Sequence, residues 1–532
     1  MSEADHPLTA TEIDQRPADD GGHGRVAGRL QRDLGRLDII FLTIAAVISI
    51  DTIGQIASSG GAQALTWTAV IVLTFLIPYG LVMAELGSAF PQEGGPYVWV
   101  RLAFGRFWAS LSTMFYWITN PVWLGGSLTF LAATTWDTYL VHTHEGGAGD
   151  YLFKLGFIWL AILSAVVSLR YGKWLLNVGA VLKVALVVVF VATVAVYAAR
   201  HGIHGYAAGS FSPTTGGFLA VTPIILFAVV GFEAQNGAAE EMRDPRRDVP
   251  VSVAVSGTIS ALCYLVPIFG ITAVLPASQI SGATGFLDAV GTVFSVYGSA
   301  AHLLLQVTAA LFIFVLLNQG SAWMIASDRV QAIAGADGTF PRFFGVFHPT
   351  LGTPVRVNLL SGVVATIFCV TATVFVQGST AAVFTVVLSI AVSTLLLSYL
   401  VIFPTVVRLR RRYPALDRPY RIPGGRAGLW ACAVLIYTWV LLGSWISVFP
   451  GTIESLLGVN YDFAGSWGVS RLTFEAFTVG TLLVIVVFCT IGYWWAQRRD
   501  DPGADFTADL QRELLAAEQA GVVLQSSPGG RT

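Results

Sequence analysis

Three ionisable residues stand in stretches where an apolar chain would ordinarily carry none: Asp51, Lys183 and Glu233. Asp51 follows IIFLTIAAVISI, Lys183 lies inside VGAVLKVALVVVF, and Glu233 sits in LFAVVGFEAQNGAAEE. A charge at bilayer depth costs about 3 kcal/mol or more, so by default it marks a site for an ion or a polar guest. Glu233 follows Gly231 and Phe232. Glycine lets a helix unwind, and unwound backbone is tolerated at that depth only where it lines a protein or water cavity. The plainer alternative is a helix that ends early and leaves Glu233 at the interface. Asp51 begins the polar interruption Asp51-Thr52-Ile53-Gly54-Gln55, with Ser49 just before it. It lies about twelve residues into its run, near mid-bilayer at about 1.5 Å per residue. Its role is either a structural hydrogen bond to a neighbouring helix or direct contact with a cationic group or a proton. Lys183 must be paired with an acid, be neutral, or reach the interface along its own stem. The apolar run that follows it favours burial over the interface.

The elements that must position these groups are helices in lipid. Of 532 residues, 55% are hydrophobic and 12% charged, against roughly a quarter charged in soluble proteins. About twelve apolar runs of spanning length follow one another, the first near 39–60 and the last near 474–496. The reading is an all-α integral membrane protein. Residues 1–37 form a polar tail, 38–200 hold spans one to five, 217–404 hold six to ten, 428–496 add two more, and 497–532 form a second tail. Interruptions in spans one and six stand at matching places in two five-helix halves, which is how a transporter site between inverted repeats announces itself.

Basic residues alternate with the spans. Arg101 and Arg106, Arg170 and Lys173, Arg243, Arg246 and Arg247, Arg329 and Arg342, and six arginines from Arg408 to Arg421 fall on one side. The opposite loops are nearly bare of them, with Arg200 and Arg471 the exceptions. The positive-inside rule then places both termini in the cytoplasm of a multi-pass plasma-membrane protein. Phe506–Val523 reads as an amphipathic helix in a loosely structured tail. No signal peptide, phosphate loop, HExxH or nucleophile elbow is present, and the four cysteines are scattered singly. Nothing points to enzyme chemistry, a cofactor, a metal or nucleic acid. The expected partners are a small-molecule substrate, protons and membrane lipid; oligomeric state is left open.

Weaker candidates follow from helical spacing. Tyr116, Trp117 and Asn120 lie within little more than one turn of the third span, and Asn318 and Ser321 lie on one face of the eighth. They line the site or bond helix to helix. Glu85 is expected to support the inner gate or the loop after it.

At PYGLVMAELGSAFPQEGGPYVWVRLAFG (78–105), GFEAQNGAAEEMRDPRRDVP (231–250), Asn177–Phe190 with Lys183, and ASDRVQAIAGADGTFP before Gly352-Thr353-Pro354, the chain resembles the amino acid–polyamine–organocation permeases over about residues 35–425. That resemblance implies a five-plus-five inverted-repeat core with two further helices. It implies a substrate held by backbone groups of two broken helices, around Ser49–Gly54 and at Gly231, with Phe232 closing over it. Glu233 matches the acid that antiporters and polyamine carriers of the family place there. Lys183 implies an ammonium standing where sodium-coupled relatives hold the cation, hence proton coupling or exchange without sodium. The first span departs from the family's Gly-Ser/Ala-Gly pattern, having Ser49-Ile50-Asp51 and a lone Gly54. The reading is a secondary transporter, working by alternating access, for amino acids or related amines. A polyamine or amine importer is the alternative within transport, and a channel or transporter-like sensor the alternative outside it.

Overall fold

A computed structural model of the protein describes residues 34–498 and 506–520, apart from 145, 172, 204–207, 283 and 376–379. The arginines at 25, 29 and 32, the side chains of Arg170 and Lys173, and residues 521–523 of the proposed tail helix lie outside what it describes. In chain order the first helices are α1 (Arg36–Val47), α2 (Ile50–Gly60), α3 (Gln63–Ile71), α4 (Ile77–Ala89), α5 (Gly95–Phe104), α6 (Arg106–Trp123) and α7 (Thr129–Tyr139). Then come α8 (Ala148–Tyr171), α9 (Lys173–His201), α10 (Thr215–Ala228), α11 (Pro245–Val274), α12 (Gly285–Phe294) and α13 (Ala301–Ala336). The remainder are α14 (Val355–Phe375), α15 (Thr380–Ile402), α16 (Thr405–Arg412), α17 (Gly425–Val448), α18 (Arg471–Arg498) and α19 (Phe506–Ala520).

Among the described residues, ten segments are long and apolar enough to cross a membrane. The stretch α6–α7 and the broken stretch from α10 to Glu241 fall at the two other positions where the apolar runs predict spans. Leu152, Val188, Leu303, Val374 and Val484 are more than half exposed, as side chains facing lipid tails should be. The most buried elements are α1, α2, α4, α5, α6, α15 and the second half of α13.

Irregular turns have identifiable causes. Pro78 has no N–H to give back along its helix, and the ladder widens into a π turn at Val72–Leu76 that links α3 to α4. A second π turn, Leu124–Leu128, follows Pro121. There the small side of Gly125 and Gly126 meets α14 and α15: a Cβ on Gly125 would stand 2.1 Å from the Ala365 oxygen.

Both interruptions exist, one of them displaced from its expected place. The first span breaks at Ile48 and Ser49, whose ψ angles of 98° and 84° leave the helix. It then runs unbroken as α2 through Asp51, Thr52 and Gly54. The sixth breaks at Val229–Glu233 and resumes as a 3₁₀ segment, Ala234–Glu241, kinked at Ala238. Leu34 pairs with the strand-like end of that segment, its N–H donating to Glu241 O and its carbonyl accepting from Arg243 N. α19 is no loose tail: Leu514 is buried, the helix packs on α5, and Thr507 N–H donates to Asp337 Oδ1 at 3.2 Å.

Candidate functional site

The two breaks meet at one tyrosine. Tyr264 of α11 accepts a hydrogen bond from Ser49 N–H at 2.6 Å. Its hydroxyl lies 3.0 Å from Val47 O and 2.5 Å from Ala228 O, so its proton serves one of the two carbonyls. The other loose carbonyls of α1 are also taken. Lys183 Nζ, from α9, donates to Ala45 O at 2.8 Å, Ile48 O at 2.6 Å and Gln319 Oε1 at 2.9 Å. That uses all three ammonium donors, at the carbonyl end of a helix, where a positive charge is favoured. Trp323 Nε1 donates to Ala46 O at 3.0 Å. Tyr264→Phe leaves the Ser49 N–H and a carbonyl unpartnered. It is expected to cost about 2 kcal/mol or more, measured as a lower unfolding temperature of the purified protein.

Asp51 is held from two sides: Gln319 Nε2 donates to Oδ1 at 2.7 Å and Trp123 Nε1 to Oδ2 at 3.1 Å. The Gln319 amide thus bridges Lys183 to Asp51. Thr52 turns its hydroxyl to Ser49 O at 2.7 Å and steadies the turn.

At the sixth-helix break Gly231 has φ 129°, a region L side chains rarely adopt, and a Cβ there would stand 3.0 Å from the Trp323 ring. The N–H groups of Gly231 and Phe232 both donate to the Tyr79 hydroxyl at 2.9 Å. Tyr79 in turn donates to Glu233 Oε2, and Tyr399 donates to Oε1 at 2.6 Å. The Tyr116 hydroxyl faces the same carboxylate. Phe232 stacks on Tyr79 at 5.0 Å, and Phe403 packs against Tyr79 and Tyr399 at 5.5 and 4.7 Å. Glu233 is fully buried, and among the described residues it has no cationic partner.

The two faces of the bundle differ. A cavity of about 350 Å³ opens beside α2, α10, α15 and the end of α17, with Gln55, Ser58, Ser59, Pro223, Ser389 and Glu454 in its wall. On the arginine-rich face ion pairs close the bundle. Glu85 holds Arg410, lies 3.3 Å from Arg418 and accepts from Ile422 N–H at 2.9 Å. Arg329 lies between Glu93 at 2.8 Å and Glu241 at 2.7 Å, and Arg36 meets Asp248 at 2.6 Å.

The expected residues divide clearly. Ser49, Asp51, Thr52, Lys183, Gly231, Phe232, Glu233 and Tyr116 gather around the breaks. Gly54 does not: it lies mid-helix in α2, where its missing side chain lets the backbone of Gly285 and Phe286 approach, 3.1 Å from a notional Cβ to Phe286 N. Asn318 faces α9 and donates to Leu175 O at 2.9 Å, and Ser321 bonds Ala161 O, so both tie helix to helix. Asn120 donates to Tyr116 O within its own helix. Sequence reasoning missed Tyr79, Tyr264, Tyr399, Gln319, Trp123 and Trp323. The available signal was a hydrogen-bonding tip inside each of those apolar runs, which in lipid needs a partner.

Relatives match most of this chain and most of their own length. It is 28% identical over 387 residues, 72% of its length and 81% of theirs, to the "Probable agmatine/putrescine antiporter AguD" of Lactococcus lactis. It is 30% identical over 404 residues, 73% of this chain and 84% of the other, to an uncharacterized transporter of Legionella pneumophila. With the branched-chain amino acid permease BcaP of Bacillus subtilis it shares 25% identity over 464 residues, 83% and 95% of the two chains. The family model described as amino acid permease matches residues 34–452, from the first described residue through both breaks and the ion pairs of the arginine-rich face. An all-helical membrane bundle with two broken helices around a buried carboxylate, matched over that range, belongs to the amino acid permeases of the amino acid–polyamine–organocation superfamily, secondary transporters of amino acids or amines.

Proposed function

We propose that this chain carries amines rather than ordinary amino acids, exchanging or importing a small organic cation, coupled to protons and without sodium. One observation carries the reading: Glu233 is a buried carboxylate beside Phe232, ringed by neutral hydroxyls and with no cationic side chain against it among the described residues. A substrate ammonium or guanidinium supplies the missing charge and makes the charge-assisted bonds such a carboxylate accepts. The backbone supports the same choice. The N–H groups of Ser49, Gly231 and Phe232, suited to an α-carboxylate, are already engaged by tyrosine hydroxyls. A substrate without a carboxylate leaves them so. The printed name of the Lactococcus relative, an agmatine and putrescine antiporter, agrees in substrate class. Lys183 occupies the carbonyl cluster of the first break with its own ammonium, which supports transport without sodium. Residues 38–200 and 217–404 serve as the two inverted repeats, with their breaks joined at Tyr264. The arginine-rich face is the cytoplasmic one.

The test is a competition panel on sealed proteoliposomes in sodium-free buffer, with and without a pH gradient. Diamines and agmatine are expected to displace labelled substrate far better than neutral amino acids, and Asp51→Asn to weaken amine uptake. Preference for a neutral amino acid, or a strict sodium requirement, would overturn the reading.

A further inference from the structure

On the arginine-rich face, α15 gives way at Phe403 and Pro404 to α16, and α17 returns alongside. Between them lies an open groove of about 740 Å³. One wall is a stripe of α17, with Trp430, Val434 and Tyr437 spaced by four and three residues; these side chains are 45%, 56% and 40% exposed. Such a stripe, starting near the helix end and running inward, faces acyl chains. The mouth carries arginines of α16.

Those arginines are not equivalent. Arg410 is spent on Glu85, and Arg412 donates to Leu102 O at 2.8 Å. Arg408 and Arg411 are exposed and meet no carboxylate among the described residues; the Arg411 guanidinium lies 5.1 Å from the Trp430 ring. Two unneutralised guanidiniums above an apolar slot match a phosphate joined to a hydrocarbon tail. Basic groups at the membrane surface attract anionic headgroups in this way.

We propose that this groove is a binding site for one anionic phospholipid. Arg408 and Arg411 hold its phosphate, and an acyl chain lies along Trp430, Val434 and Tyr437. The site also reaches the transport machinery. Phe403 forms part of the groove wall and packs directly on Tyr79 and Tyr399, the two tyrosines that hold Glu233. The same short helix carries Arg410 to Glu85 at the inner lock. A lipid in the groove therefore steadies the hydroxyl cage through Phe403, and the carrier is expected to run faster with it in place.

Native mass spectrometry of the full chain in detergent tests binding, with phosphatidylglycerol, phosphatidylcholine and inorganic phosphate as separate probes. One phosphatidylglycerol should be retained, phosphatidylcholine and phosphate not. The double variant Arg408→Gln/Arg411→Gln should weaken retention about tenfold or more, and Val434→Trp should block it with both arginines in place. Arg512→Gln, on α19, controls for overall charge. In proteoliposomes, adding phosphatidylglycerol to phosphatidylcholine should raise the transport rate of the wild type but not of the double variant. Equal retention by wild type and double variant, equal binding of inorganic phosphate, or equal stimulation of both proteins would each overturn the proposal.

Discussion

Glu233→Gln is expected to weaken binding of cationic amines about thirtyfold or more, with transport falling in step. Truncating one partner of a buried charge contact costs about 2–5 kcal/mol, and about 1.4 kcal/mol is tenfold. Glutamine is nearly isosteric and keeps an oxygen for one of the two tyrosines, but it brings no charge to meet an ammonium. The scaffold is not expected to suffer, because a neutral amide is easier to bury than a carboxylate that has no cation beside it. The informative measurement pairs an amine titration with a melting curve: affinity should collapse while the unfolding temperature holds. Unchanged affinity for diamines and agmatine would remove Glu233 from the site.

Lys183→Met is expected to behave in the opposite way and damage the scaffold itself. Methionine is similar in length but leaves Ala45 O, Ile48 O and Gln319 Oε1 without a donor. Each buried orphan costs about 1–3 kcal/mol. The first break loses its tie to α9, and Gln319 loses the contact that aims its amide at Asp51. Transport should vanish and the unfolding temperature should drop, with substitution of potassium for sodium making no difference to the wild type. A Lys183→Met protein that melts like the wild type and still transports would refute the role given to this ammonium.

Much of the molecule is legible in its sequence because lipid imposes simple rules. Apolar run lengths and arginine alternation place the spans, and Gly231-Phe232-Glu233 marks the sixth-helix break because glycine is the residue its φ demands. The first break is less visible for a physical reason. Ile48 and Ser49 have no unusual backbone freedom; the helix parts there because Lys183, Trp323 and Tyr264 capture its carbonyls from outside. Gly54 draws attention as the one glycine near the interruption, yet serves a close helix contact. On α13 a single position separates Asn318, which binds a neighbouring helix, from Gln319, which bridges the two charged groups. Helical spacing alone cannot make that distinction, since the two side chains lie about 100° apart on a face whose partners are unknown.

The wide turn at Val72–Leu76 has a consequence for Tyr79. Such a turn accommodates one residue more than an ordinary helix would, and one residue is worth about 100° of azimuth. Shortening the chain by a residue there would leave a straight rod, equally oily and equally able to cross the bilayer. Relative to the outer half of that rod, the phenol would point more than a quarter of a circle away from its target. The aim of this tyrosine is therefore set by a register offset a full turn upstream, and a one-residue deletion could silence the carrier without touching any group that meets its cargo.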